Sequence, residues 1–287
     1  MGEGGTSLRE SGYKKPKRSS GILAIAHSIV YWYISYFTQE KTMKNVFDLR
    51  LVAILLTLLF FFGCASTGDM MQTQEILERT LTLENGLRMR YTIALPNSLA
   101  LDKPVPLVLA LHYGGTVTPF YGRGFLTLLV EPALKDLSAI IVAPDCPGQG
   151  WVDPISEKAV LEVLENIKSY YKVDPNKIVV TGFSTGGIGT WYFAQRHTQL
   201  FSAAIPISAV PESKTFPAIK GIPIYAIHSR GDEVFPIDKV RSFVEKQKSE
   251  GASIHFEELV GISHYETYRF VNPLKQAIPW LKNVWGD

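Results

Sequence analysis

From about residue 80 onward, two hydrophobic rhythms alternate along the chain. Short runs in which nearly every position is apolar fall at residues 105–111, 139–143, 178–181, 203–208, 222–228 and 253–260. Such continuous hydrophobicity belongs to parallel strands covered on both faces. Between the runs, residues 156–171 place Val160, Leu161, Val163, Leu164 and Ile167 at helical spacing. Residues 187–197 and 238–250 also read as helices, the latter with a polar outer face and a stop at Gly251. A further helix is expected at the C-terminus. Upstream, the strand-like segments 79–83 and 87–95 flank Glu84-Asn85-Gly86, and an Asn-Gly step in that setting predicts a hairpin. The expected fold class is α/β: an antiparallel N-terminal hairpin feeding a mostly parallel, twisted sheet, wound right-handed with helices on both faces. Residues 80–287 are enough for one domain with a large core.

The front of the chain follows another logic. Residues 43–64 combine a basic start (Lys44, Arg50), an apolar run over 51–63 and then Cys64, the arrangement of a secretory signal too short to span a bilayer comfortably. Phe61-Phe62-Gly63-Cys64 resembles a lipobox, in which Cys64 becomes the lipidated N-terminus. The expectation is a membrane-anchored lipoprotein of the bacterial cell envelope, or a periplasmic or secreted protein, with residues 65–79 as linker. Residues 1–42 carry Lys14, Lys15, Lys17 and Arg18 before an apolar stretch that contains His27. They are read as an over-extended frame ahead of Met43, with a membrane helix as the rival reading.

Charge narrows the possible partners. Of 29 Lys and Arg, 8 precede Cys64, and of 27 Asp and Glu, 4 do, leaving 21 basic and 23 acidic residues after it. That near-neutral balance has no basic stripe for nucleic acid. Cys146 is the only other cysteine, so a lipidated Cys64 leaves no intramolecular disulfide. The histidines lack metal-ligand spacing, and no metal or cofactor is expected.

The candidate chemistry centres on Gly182-Phe183-Ser184-Thr185-Gly186, between a β-type run and a helical one. A serine on such a turn needs small neighbours and gains exposure above the sheet. A serine hydroxyl also needs a base and a group that orients the base. Asp232 lies in the loop leaving the apolar run 222–228, and His264 lies in Gly261-Ile262-Ser263-His264-Tyr265, thirty-two positions later. Glu212 is the rival acid. Asp145 precedes the serine and is expected to shape a loop. His228, inside a strand, reads as a core or loop-anchoring residue, and His197 and His255 as helix-end and strand-surface residues.

The segment from Tyr171 through Ile178-Val179-Val180-Thr181-Gly182-Phe183-Ser184-Thr185-Gly186-Gly187 closely resembles the nucleophile elbow of esterase-like α/β-hydrolases, including polysaccharide-associated esterases and bacterial predicted peptidases. The resemblance runs from about residue 80 to the C-terminus and implies the α/β-hydrolase fold. By position it makes Ser184 the nucleophile, His264 the base and Asp232 the orienting acid. The oxyanion would be held by the N–H of Thr185 and by a donor from Leu111-His112-Tyr113-Gly114-Gly115. There Tyr113 replaces the family's usual glycine, leaving Gly114 or Tyr113 as the second donor, with Gly114 favoured. His112 takes a structural role, and Trp151 is placed to line a substrate pocket.

Only about a dozen residues separate the runs ending at 208 and beginning at 222, so no large cap domain is expected. The resulting open site suits short acyl groups or bulky, exposed esters, including carbohydrate esters. The expected activity is serine carboxylic-ester hydrolysis through an acyl-enzyme. A peptidase or thioesterase could use the same triad, and an inactive, envelope-anchored carbohydrate-binding protein is the reading from another class.

Overall fold

The computed structural model describes residues 74–99, 102–211 and 216–287. Residues 1–73, including Cys64 and the segment read as a signal and lipobox, lie outside the described residues, as does Glu212.

One eight-stranded sheet runs in the order β1-β2-β4-β3-β5-β6-β7-β8. Its strands are β1 Glu75–Thr82, β2 Arg88–Leu95, β3 Val105–Leu111, β4 Ile140–Pro144, β5 Val173–Phe183, β6 Ala203–Ile207, β7 Ile224–Ser229 and β8 Ile254–Leu259. The β1–β2 and β2–β4 pairs are antiparallel and every other pair is parallel, as the hydrophobic pattern predicts. The hairpin forms at Glu84-Asn85-Gly86, but through a three-residue loop. The Gly86 N–H reaches the Leu83 carbonyl, the Leu83 N–H reaches the Leu87 carbonyl, and Gly86 takes φ of 81°. Glycine closes that loop because a left-handed residue is needed before the second strand resumes. β1 starts at Glu75, inside the segment expected to be linker. As a half-exposed edge strand rich in charge, its EILERTLT pattern lacks the clean alternation that marks a strand.

Strand residues alternate between two apolar layers, one on each side of the sheet. Leu107, Leu109 and Leu111 of β3 join Ile140 and Val142 of β4 in the layer covered by α3 (Pro154–Tyr170), α4 (Thr185–Arg196) and α5 (Ile237–Ser249). Val108 and Ala110 face the opposite layer. It is covered by the helical stretch from α1 (Tyr121–Phe125) through a π-helical turn at Leu126–Val130 to α2 (Glu131–Leu134), and by α6 (Val271–Lys275) and α7 (Ala277–Trp285). The hydrophobic pattern did not anticipate the 121–134 stretch. Two glycines in Tyr121-Gly122-Arg123-Gly124-Phe125 and the strand-like Leu126-Thr127-Leu128-Leu129-Val130 obscure its period. Its buried residues Phe125, Leu126, Leu129, Val130, Ala133 and Leu134 nevertheless recur at helical spacing.

Local signals set the helix ends. Asp153 caps α3 by accepting from the Ile155 N–H at 2.8 Å, with Pro154 in the first turn. Past α5, Gly251 at φ 98° lets the Ala252 N–H bond back to the Gln247 carbonyl. Among the described residues no cap domain enters between β6 and β7. The carboxyl ends of β5, β7 and β8 therefore open at one edge of the sheet, where this class of fold gathers functional loops.

Leu109 is fully buried at the centre of the sheet. Leu109→Ala is expected to cost about 2–5 kcal/mol of stability. In urea the unfolding midpoint should drop while the denaturant slope stays unchanged; an unmoved midpoint would contradict the packing described.

Candidate active site

Ser184 stands between the last residue of β5 and the first of α4 with φ 57° and ψ −118°, a conformation that costs a non-glycine residue on the order of 1–3 kcal/mol. Its surroundings keep it there. A Cβ on Gly182 would lie 2.3 Å from the Gly186 carbonyl oxygen, and one on Gly186 would lie 1.9 Å from that of Leu111. A Cβ on Gly187 would lie 2.6 Å from both Ala209 and the Ile207 carbonyl oxygen. β3, β6 and the start of α4 thus close on the turn more tightly than any side chain allows. The Ser184 N–H is anchored on the Ile207 carbonyl at 3.0 Å.

The structure brings Ser184, His264 and Asp232 into one chain of contacts. Ser184 Oγ lies 2.9 Å from His264 Nε2, and His264 Nδ1 lies 2.8 Å from Asp232 Oδ2. Burial pushes the Asp232 carboxyl up, but its bond to His264, the Phe235 N–H and the nearby His264 and His228 outweigh that and hold it below the usual carboxylate range. The other oxygen, Oδ1, accepts the N–H groups of Val234 at 2.9 Å and Phe235 at 2.8 Å. With Asp232 ionised, Nδ1–H donates to it and Nε2 is left to accept from the serine hydroxyl. Phe183 and Phe235 lie 5.1 Å and 5.6 Å from the buried imidazole, centroid to centroid, and leave it little room to turn.

Two residues that the sequence reading passed over join the acid loop to the histidine loop. Glu233 accepts the His264 N–H at 2.9 Å and the Ser263 hydroxyl at 2.5 Å. Ser229 Oγ accepts the N–H groups of Gly231 and Ile262, each at 3.1 Å. Glu233 follows Asp232 directly, but its adjacency is not itself a signal.

The loop after β3 is equally fixed. His112 Nε2 accepts the Cys146 N–H at 3.0 Å, so Nδ1 carries the proton and donates to the Tyr113 carbonyl at 2.7 Å. Burial holds this imidazole below its usual range, consistent with the neutral form. Trp151 Nε1–H donates to the His112 carbonyl at 2.9 Å. In a trans peptide the N–H points opposite the C=O, so pinning these two carbonyls turns the Tyr113 and Gly114 N–H groups to the other side. Gly114 packs against Thr185, a Cβ there lying 3.2 Å from the threonine methyl. Thr185 opens α4, whose first N–H groups have no partner within the helix. Tyr113, Gly114, Ser184 and His264 line one cleft of about 390 Å³. Trp151 is buried and lines a neighbouring cleft of about 410 Å³, together with Thr185, Ile188 and Tyr192.

The remaining candidates stand elsewhere. Asp145 accepts from the Phe120 and Gly122 N–H groups and from Arg90, shaping the entry to α1. His228 is buried behind the acid, its Nε2–H on the Phe235 carbonyl at 2.8 Å, and its Nδ1 finds no hydrogen-bond partner among the described residues. His197 bonds Glu157, and the His255 ring stacks on Tyr225. Among the described residues, no group of three His, Cys, Asp or Glu side chains is placed to hold a metal ion.

Two outcomes follow from this geometry. Gly186→Ala should abolish soluble, folded protein or lower its urea unfolding midpoint, because the intruding atom meets backbone; a wild-type midpoint would refute the tight-turn account. A carboxyl depressed below its unfolded value contributes stability above the ordinary carboxylate range and loses it as pH falls through the folded value. The stability advantage of wild type over Asp232→Asn, measured by urea unfolding across pH, should therefore shrink in acid. An advantage that grows in acid would contradict it.

Residues 148–265, a span that contains all three side chains of the relay, match the Dienelactone hydrolase family. Protein usf of Aquifex pyrophilus is 30% identical over 100 residues, 34% of this chain and 43% of that protein. Acetylxylan esterase A of Aspergillus oryzae is 25% identical over 181 residues, 56% of this chain and 57% of that protein. The chain spans less than half the length of the first curated relatives it matches, 43% and 14%. The crystal structure of a thermostable esterase superposes with a TM-score of 0.60 at 27% identity, covering 72% of this chain and 62% of that one. Sheet order, elbow and these likenesses together place the chain in the α/β-hydrolase superfamily.

Proposed function

We propose that this chain is a serine hydrolase of carboxylic esters, short-acyl or carbohydrate-linked, working through an acyl-enzyme on Ser184. The observation that carries the reading is the unbroken relay from Ser184 Oγ through His264 to the ionised Asp232. In the first half-reaction Ser184 Oγ attacks the acyl carbonyl while His264 Nε2 takes its proton. The carbonyl electrons move onto oxygen, which the N–H groups of Thr185 and Gly114 receive, and preorganised donors at that point are usually the largest catalytic term. Collapse expels the alcohol oxygen, which leaves with the proton from the imidazolium. Water then attacks the acyl-serine by the same route, releasing the acid and restoring the hydroxyl. Asp232 stays ionised throughout and holds the ring.

Support for an ester comes from the relatives named as acetylxylan esterases and from the uncapped, open cleft at the serine. The nucleophile in this reading is an oxygen, which leans on its base for activation more heavily than a thiol does. For location, the reading keeps the bacterial envelope, with Cys64 as lipid anchor; its support is the sequence of residues 43–64 alone.

A fluorophosphonate probe should label wild type at Ser184 and leave Ser184→Ala unlabelled. On acetyl esters, Ser184→Ala and His264→Ala should each lower kcat by about four to six orders of magnitude. A wild type that neither labels nor turns over acetyl esters would overturn the proposal.

A further inference from the structure

Part of the exposed apolar surface lies beside the serine. Among the described residues nine large apolar side chains stand exposed, and three of them, Leu128, Tyr265 and Tyr268, line the same cleft as Ser184 and His264. Tyr265 is 76% exposed and Tyr268 57%. Contiguous apolar surface left open to water at a reacting centre marks a place that a ligand covers. Tyr113 contributes a third ring, held edge-on by Tyr121 at 5.9 Å and Phe125 at 6.0 Å. The residue that replaces a glycine in the oxyanion loop therefore adds wall to this cleft. Among the described residues no Asp, Glu, Lys or Arg lines it, so none of these side chains compensates a charged group on the substrate.

The chemistry decides which half of an ester lies here. With the carbonyl carbon on Ser184 Oγ and its oxygen toward Thr185 and Gly114, His264 Nε2 must reach the leaving oxygen to return the proton. The departing alcohol consequently extends over the histidine side. Tyr265 follows His264 in the chain, its ring edge-on to the imidazole at 5.7 Å, and Tyr268 opens onto the same cleft. The neighbouring cleft, between Val152, Ile188, Tyr192 and Phe216, touches Thr185 and not His264, and so lies away from the departing alcohol.

Resting on the ester-hydrolase reading, the geometry points to Tyr265, Tyr268 and Leu128 as a leaving-group subsite for an uncharged pyranose ring. A pyranose offers an apolar C–H face to pack on an aromatic ring and a rim of hydroxyls to bond with phenol and threonine hydroxyls. Tyrosine presents the same pairing of apolar body and polar tip, and Thr267 lies in the lining. The cleft opens to solvent, so sugar units on either side of the esterified one can pass beyond it. The two tyrosines act on specificity: they choose the alcohol and leave the relay to the triad.

The test compares three acetyl esters on the full-length chain: acetylated methyl β-D-xylopyranoside, ethyl acetate and p-nitrophenyl acetate. In Tyr265→Ala and Tyr268→Ala the kcat/KM ratio of sugar ester to ethyl ester should fall about tenfold, carried chiefly by KM for the sugar ester. The corresponding Phe variants, which keep the ring and lose only the hydroxyl, should lower that ratio less, by about threefold. Fluorophosphonate labelling of every variant reports that the serine remains activated and the protein folded. An unchanged sugar-to-ethyl ratio in both Ala variants overturns the subsite while the hydrolase stands. A ratio lost only for p-nitrophenyl acetate also overturns it, in favour of an aryl alcohol. A wild type with no labelling and no turnover of any of the three overturns the hydrolase reading itself.

Discussion

A single strained residue sets the geometry of this molecule's working edge. Ser184 occupies a backbone conformation that β-strand and α-helix both exclude, and it does so because Gly182, Gly186 and Gly187 leave no room for any other course of the chain. Backbone oxygens of Leu111, Gly186 and Ile207 occupy the space their side chains would fill. The strain, on the order of 1–3 kcal/mol, is offset by the two apolar layers that pin β3, β5 and β6 together. Its effect is to raise one hydroxyl above the sheet and to aim the first turn of α4 at the point where negative charge would develop.

The other parts of the site are fixed by bonds between loops that are far apart in sequence. Ser229, at the end of β7, accepts from Ile262, and Glu233 accepts from His264, so the acid loop and the histidine loop move as one unit. His112 and Trp151 do the same for the loop after β3, by engaging its carbonyls. In both places peripheral side chains hold backbone, and the backbone holds the group that would meet substrate. Such indirect support keeps a serine, an imidazole and a carboxylate within hydrogen-bond reach without a cap domain to press them together.

Much of this is readable along the chain, for reasons that differ by element. The buried parallel strands are visible because burial on both faces demands unbroken apolar runs, as in β3 and β6, each found within a residue of its observed bounds. β1 is hidden because an edge strand needs only half of its surface apolar, and the 121–134 helical stretch because glycines and a Leu-Thr-Leu-Leu-Val run disguise its period. Ser184, Asp232 and His264 can be found because chemistry restricts residue type and the fold restricts their order. Glu233, Ser229, Tyr265 and Tyr268 carry no such restriction, and nothing in their spacing distinguishes them from ordinary loop residues.

The sequence alone determined the α/β class, the hairpin at Glu84-Asn85-Gly86, the turn at Ser184 and the three side chains of the relay. These depend on local backbone demands and on residue chemistry, which are written position by position. Tertiary structure alone decided the distances: that His264 meets both Ser184 and Asp232, that His112 turns the peptides of the loop after β3, and that Tyr265 and Tyr268 share a cleft with the serine. Those are relations between residues as far as eighty positions apart and more. They exist only once the sheet has stacked its strands and brought the carboxyl ends of β5, β7 and β8 to one edge.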